Sequence, residues 1–320
     1  MQNEKINICQ VSLARDISIV KENYFNFNKL YKNLKFYIIC QNKDLSLFKS
    51  AFDFENCKIV NEDEILSLKD FRNIFTNLSK NLNYREELEQ RLTWYYQQVL
   101  KLSFAIDFIY KSKEKIVIWD ADTIILKKIT FFQNNYSVKY GTTSEFHRAY
   151  YDTNKKILKK LPNYFISSLA QFISLSTYEN RFLNKKLNQF IKRKNTTPEW
   201  ITHIVFKAIT EIHENYNGSM FSEYELIGQS NYLQNNTKQK PILTLRFGLD
   251  GILNHKQIRL VKMFNFKHVT YEHSHPNKKS LGMLDREQTW LGLIKIIYKN
   301  LFKFYLRSIK HNYLYKKNYG

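Results

Sequence analysis

Over the first 130 residues, short apolar runs alternate with longer amphipathic stretches, and that rhythm admits few folds. The runs at 6–11, 36–40, 57–60 and 115–119 read as strands. Between the first two lie residues 16–31, whose apolar positions recur at helical intervals. A strand, a helix and a second strand in that order form a βαβ unit, and its parallel strands need helices over them. The expected class is therefore α/β, a mostly parallel sheet flanked by helices. Leu88, Leu92, Tyr95, Val99, Leu102, Ile106 and Ile109 step by three or four. This spacing predicts one long helix over 85–110 with a single buried face, leading into the strand at 115–119. Shorter strands are expected at 242–246 and 267–271.

The length of 320 residues is ample to bury a core, and 24 Phe and 22 Tyr against 8 Gly and 4 Pro exclude a disordered or collagen-like chain. No repeat and no Pro/Gly-rich linker divides it, so one catalytic domain over 1–285 with a basic amphipathic extension over 286–320 is expected. Cys9, Cys40 and Cys57 are odd in number and lack metal-ligand spacing, which fits reduced core thiols of a cytoplasmic protein. The first residues lack the pattern of a signal peptide, and no uncharged run is long enough to span a bilayer.

Fifty Lys and Arg against 29 Asp and Glu leave a net charge of +21, which favours an anionic partner. Nucleic acid is discounted as that partner, because the basic residues are dispersed and no recognised binding motif is present. A basic cluster over 181–194 reads as helix surface.

The chemistry concentrates in Lys115-Ile-Val-Ile-Trp-Asp120-Ala-Asp122. Two carboxylates emerge where an apolar parallel strand ends, the place where open α/β sheets bind ligands. Hard oxygen donors there suit Mn²⁺ or Mg²⁺, which would neutralise a diphosphate. The bland alternative is a pair of turn residues. A second functional reading is a haloacid-dehalogenase-like phosphatase with Asp120 as nucleophile. Against it, the motif lies far from the N-terminus, and Thr123 and Ile124 stand where such enzymes carry Gly-Thr.

Upstream, Trp94, Gln97, Gln98 and Lys101 are spaced to share one helix side, expected to face a cleft and to meet sugar hydroxyls and phosphates. An ordinary solvent face is the alternative. Downstream, Glu223 and Glu225 in Phe221-Ser-Glu-Tyr-Glu alternate with aromatics as on an extended segment, which would put both on one face. Glu223 is the preferred base for an acceptor hydroxyl and Glu225 the reserve. The bland alternative is a pair of surface ion-pair partners.

Taken together, the Trp94-x-x-Gln97-Gln98-x-x-Lys101 helix, the Asp120-x-Asp122 turn and Phe221-Ser-Glu223-Tyr-Glu225-Leu resemble, in that order, the DUF6492 glycosyltransferases of bacterial surface-polysaccharide clusters. The likeness extends over about residues 85–275. It implies a GT-A-like fold and transfer of a sugar from a nucleotide-diphosphate donor, a UDP-sugar first among them, to a glycan or lipid-linked acceptor of capsule or lipopolysaccharide synthesis. It further implies that Asp120 and Asp122 position metal and donor, that His275 completes the metal site or contacts the diphosphate, and that Glu145, His147 and Arg148 border the acceptor pocket.

Residues 290–309 are rich in Leu, Ile, Phe, Tyr and Trp, with Lys295, Lys299, Lys303 and Arg307 at intervals of four. Such a helix suits a peripheral position at the anionic inner face of the cytoplasmic membrane, with Trp290, Leu293, Ile297 and Phe304 inserted. The competing expectation is a helix docked on the core with its Lys stems turned outward.

Overall fold

The computed structural model describes residues 5–112, 114–133, 136–139, 146–159, 161, 171–173, 197–212, 219–233, 237–239, 244–248, 253–272 and 290–319. In chain order the strands are β1 (Ile6–Val11), β2 (Leu34–Cys40), β3 (Cys57–Asn61), β4 (Ile116–Ile118), β5 (Thr123–Ile125), β6 (Phe132–Gln133), β7 (Tyr136–Lys139), β8 (Gln171–Ile173), β9 (Thr237–Gln239), β10 (Thr244–Gly248) and β11 (His268–Glu272). The helices are α1 (Ile17–Leu30), α2 (Leu45–Ala51), α3 (Leu68–Ser79), α4 (Arg85–Glu89), α5 (Leu92–Ser112), α6 (Arg148–Leu158), α7 (Thr197–Thr210), α8 (Glu223–Leu233), α9 (His255–Met263) and α10 (Trp290–Tyr319).

The main sheet runs β3-β2-β1-β4-β8, with the first four strands parallel and β8 antiparallel at the edge. Alternate side chains divide its two faces. Ile8, Phe36, Ile38, Val117 and Trp119 pack under α1 and α2 with Val20, Tyr24, Phe27 and Phe48. Cys9, Ile39, Ile116 and Ile118 face a larger cluster built from α3, α5, α7 and α8. The expected α/β class and mostly parallel sheet are both present, and all seven stepping positions from Leu88 to Ile109 are buried. The predicted continuous helix is broken, however. It turns at Gln90, whose N–H reaches Glu86 O, and starts afresh as α5.

A smaller sheet, β10-β11-β5, takes the chain that follows the Asp-x-Asp turn and pairs β5 antiparallel to β11. Ile124 and Leu126 join Leu245, Val269 and Tyr271 in its core, and Leu293 and Ile297 of α10 close that core. Two residues of the face expected to enter the membrane are thus fully buried in protein, so α10 docks through them because they complete this sheet's apolar side. Its far end docks as well, with Tyr315 buried against Tyr151. The side chains of Trp290 and Phe304, and the boundary at 285, lie outside the described residues.

Candidate active site

Strand β1 has β2 on one side and β4 on the other, so the strand order reverses between β1 and β4. Open α/β sheets bind their ligands in the crevice beyond the carboxyl ends of such strands. Asp120 and Asp122 lie there, directly after β4. Their turn is held by the backbone. Thr123 N–H donates to Asp120 O at 3.1 Å, Tyr271 N–H donates to Asp122 O at 2.8 Å, and the Thr123 and Thr270 hydroxyls meet at 2.9 Å. Gln10, wholly buried at the end of β1, donates from Nε2 to Asp120 O at 3.0 Å. Sequence reasoning missed Gln10, since a lone amide in an apolar strand gives no signal until its partner, 110 residues away, is placed.

The side chains form an ionic cluster. Lys101, only 3% exposed, reaches Asp120 Oδ1 at 2.6 Å and Glu223 Oε1 at closer range. Tyr224 hydrogen-bonds Asp120, and its ring lies under the Lys101 ammonium at 5.1 Å. Burial works against the Lys101 charge, yet Asp120 and Glu223 outweigh it and raise its pKa. Glu223 is also raised, because burial exceeds the attraction of Lys101 and Asp120 adds repulsion. Asp122 stands close enough to add its charge to the field on Tyr224. The same burial and charge push the Tyr224 hydroxyl well above its ordinary pKa.

Asp120 keeps 39% of its side chain exposed and Asp122 is half-buried. The donor set is carboxylate oxygen on a partly exposed turn, so these residues fit a hard divalent cation such as Mn²⁺ or Mg²⁺. Among the described residues no third His, Cys, Asp or Glu joins them. His275 lies outside those residues. Strand β11, which ends three residues before it, runs beside Asp122 through the Tyr271 bond.

Other expected residues are distributed differently. Gln98 is buried and Gln97 half-buried, so the side that was to face a cleft is turned largely inward at Gln98 and Lys101. Gln98 Oε1 accepts the Glu223 N–H at 3.0 Å, tying α5 to the start of α8. Trp94 points to another neighbour, with Arg91 above its ring and Tyr150 stacked on it at 6.5 Å. Residues 223–225 are the first turn of a helix and not an extended segment, which separates the two acids. Glu223 faces Lys101, whereas Glu225 meets the Tyr151 hydroxyl at 3.5 Å. Both are buried, so neither is a surface ion-pair partner.

His147 and Arg148 are exposed at the start of α6. His147 packs on Tyr150, and Arg148 pairs with Asp152 at 3.4 Å. The end of α10 covers this corner, with Tyr319 donating to Asp152 Oδ1 at 2.6 Å. Glu145 and the 181–194 cluster lie outside the described residues.

One acid at the same sheet edge went unremarked in the sequence. Glu62 follows β3, and burial, with Asp63 and Asp44 adding repulsion, raises its carboxyl from 4.5 to about 7. A raised carboxyl means that the folded state holds its proton where the unfolded chain has lost it. Stability should therefore fall as pH rises from about 4.5 to about 7, by on the order of 1 kcal/mol after solvent screening. Glu62→Gln should flatten that slope and raise the urea midpoint at pH 8 while leaving it unchanged at pH 4. Identical pH profiles of the two proteins would remove Glu62 from the account.

Solved structures with a similar course of chain are glycosyltransferases. The galactosyltransferase LgtC, in complex with donor and acceptor sugar analogs, gives a TM-score of 0.40 at 7% identity, covering 93% of this chain and 96% of that one. Mouse xyloside xylosyltransferase 1, in its apo form, gives 0.43 at 8%, covering 85% and 99%. GlyE of Streptococcus pneumoniae TIGR4 gives 0.38 at 10%, covering 93% and 64%. No curated protein matches the sequence. Residues 14–242 match DUF6492, a family of unknown function, and the chain belongs to that family.

Proposed function

We propose that this protein is a metal-dependent glycosyltransferase of GT-A-like architecture. In this reading it moves a sugar from a nucleotide-diphosphate donor, a UDP-sugar first among them, to a glycan or lipid-linked acceptor of bacterial surface-polysaccharide synthesis. The observation that carries the reading is the pair Asp120 and Asp122, clamped at the switch point of a parallel sheet beside the buried Lys101–Glu223 pair. Asp120 and Asp122 would hold Mn²⁺ or Mg²⁺, with His275 proposed as a further ligand. The ion would supply positive charge beside the donor diphosphate.

The chain's own groups have separable tasks. Lys101 fixes one oxygen of Asp120, and Gln10 fixes the backbone on which that side chain stands. Gln98 orients the first turn of α8 and with it Glu223. One Glu223 oxygen is committed to Lys101, and the other is the proposed acceptor of the hydroxyl proton, with Glu225 in reserve. Trp94 and Gln97 are proposed for the donor side, and Glu145, His147 and Arg148 for the acceptor side. The protein is further proposed to work at the cytoplasmic face of the membrane as a peripheral protein; among the described residues no helix is long and apolar enough to cross it.

Thermal melting against a panel of nucleotide sugars, with and without Mn²⁺, tests this directly. A ligand that binds only the folded state at 100 times its Kd stabilises by about 2.7 kcal/mol. At least one nucleotide sugar should raise Tm only when Mn²⁺ is present. A panel that is silent with both Mn²⁺ and Mg²⁺ would reject the proposal. A covalent phosphate on Asp120 after incubation with a phosphate ester would put the phosphatase in its place.

A further inference from the structure

Helix α10 is 30 residues long, about 45 Å at 1.5 Å per residue, and its two docked ends leave another face uncovered. Tyr298, Phe302, Leu306, Ile309 and Tyr313 follow one another at intervals of four, four, three and four, and all are between 52% and 71% exposed. That spacing puts them on one face, within an arc of about 80°. Met263, at the end of α9, is 75% exposed, and the ring of the adjoining Phe264 touches that of Tyr298. The apolar surface is therefore continuous across two elements. Monomeric proteins rarely present such a stripe without a partner.

The charge of the helix selects the partner. Within Trp290–Tyr319 there are seven Lys and Arg and no acid, and Lys310, Lys316 and Lys317 are exposed. From 286 to 320 the count is eight basic residues against Glu287, so 8 − 1 gives +7 of the chain's +21. A second copy of this face would set like charge against like. An apolar arc on a helix crowded with cations matches the boundary between acyl chains and anionic headgroups.

We infer that the Tyr298–Tyr313 arc, with Met263, is the surface on which this protein rests on an anionic bilayer. This deepens the membrane placement proposed above and rests on it, but it assigns the lipid to a different face from the one expected from the sequence. Leu293 and Ile297 hold the helix to the protein, and the uncovered arc meets the lipid. The geometry gives the two faces separate duties. Salt should weaken the cationic contribution and leave the apolar one.

The experiment is cosedimentation of the full chain with vesicles of phosphatidylcholine alone and of phosphatidylcholine with phosphatidylglycerol. The variant is Phe302→Ser/Leu306→Ser/Ile309→Ser, whose sites are exposed, so Tm should hold. The wild type should pellet with anionic vesicles about tenfold more strongly than with neutral ones, and some binding should survive high salt. The triple variant should bind anionic vesicles about tenfold more weakly. Equal binding of the two proteins, or no binding by the wild type, would overturn the inference. So would a wild-type dimer in sedimentation velocity that the triple variant abolishes, because that result assigns the arc to a second copy. Nucleotide-sugar melting shifts should be the same in both proteins, so failure here and failure of the sugar-transfer reading are separate results.

Discussion

Lys101→Met is expected to destabilise the protein by about 3–5 kcal/mol, the usual cost of removing one partner from a buried ion pair. The reason is local. Lys101 is the ammonium between Asp120 and Glu223, and Glu223 is almost wholly buried. Without it Glu223 must either bind a proton or stay charged out of reach of water, and both are costly. Protonation relieves that penalty, so the loss should be larger at pH 8 than at pH 5. A second change should recover much of it. Lys101→Met/Glu223→Leu replaces the charged pair by apolar groups of similar size, a substitution that is often neutral. Urea denaturation of the three proteins checks this. A single-variant loss under about 1 kcal/mol, or a double variant no better than the single, would show that the pair does not hold α5 to α8.

How much of this arrangement was legible in the sequence depended on the range of the interaction. The parallel strands and α1 were legible because period and hydrophobicity are local, and the whole buried stripe from Leu88 to Ile109 was marked by spacing alone. The turn after β4 was recognisable from two acids at the end of an apolar strand. Contacts across the chain were not. Nothing near Lys101 says that its ammonium turns inward to Glu223, 122 positions later. Nothing near Glu223 says that Gln98 will accept its N–H and start a helix there, so alternating acids and aromatics were read as extended chain. Helix α10 shows the same limit in another form. Its sequence reveals an apolar helix with a cationic series, but which apolar face is buried is decided by β11 and α6, and Leu293 and Tyr315 fill gaps that no local pattern describes. The β5–β11 pairing, which clamps the Asp122 carbonyl, joins segments 147 residues apart at Thr123 and Thr270.

That clamp leads to the other large effect. Asp122 is held through its backbone, with Tyr271 N–H on its carbonyl, and its carboxylate accepts from the Thr123 hydroxyl at 3.2 Å. Asp122→Ala therefore removes the carboxylate and its Thr123 contact but keeps the backbone bond to Tyr271. Its Tm should stay within about 2 °C of wild type, a shift that corresponds to about 1 kcal/mol in a chain of this size. The Mn²⁺-dependent part of nucleotide-sugar affinity should disappear, and turnover should fall by about 10³-fold, in line with losing a preorganised charge-binding group at a reacting centre. Calorimetric titration with Mn²⁺ and nucleotide sugar, together and separately, measures both quantities on a folded protein. If Asp122→Ala kept the wild-type affinity and its metal dependence, Asp122 would be no more than a turn residue. If affinity vanished together with the fold, the backbone clamp would be the part of the argument to give up, since it requires the turn to survive loss of the side chain.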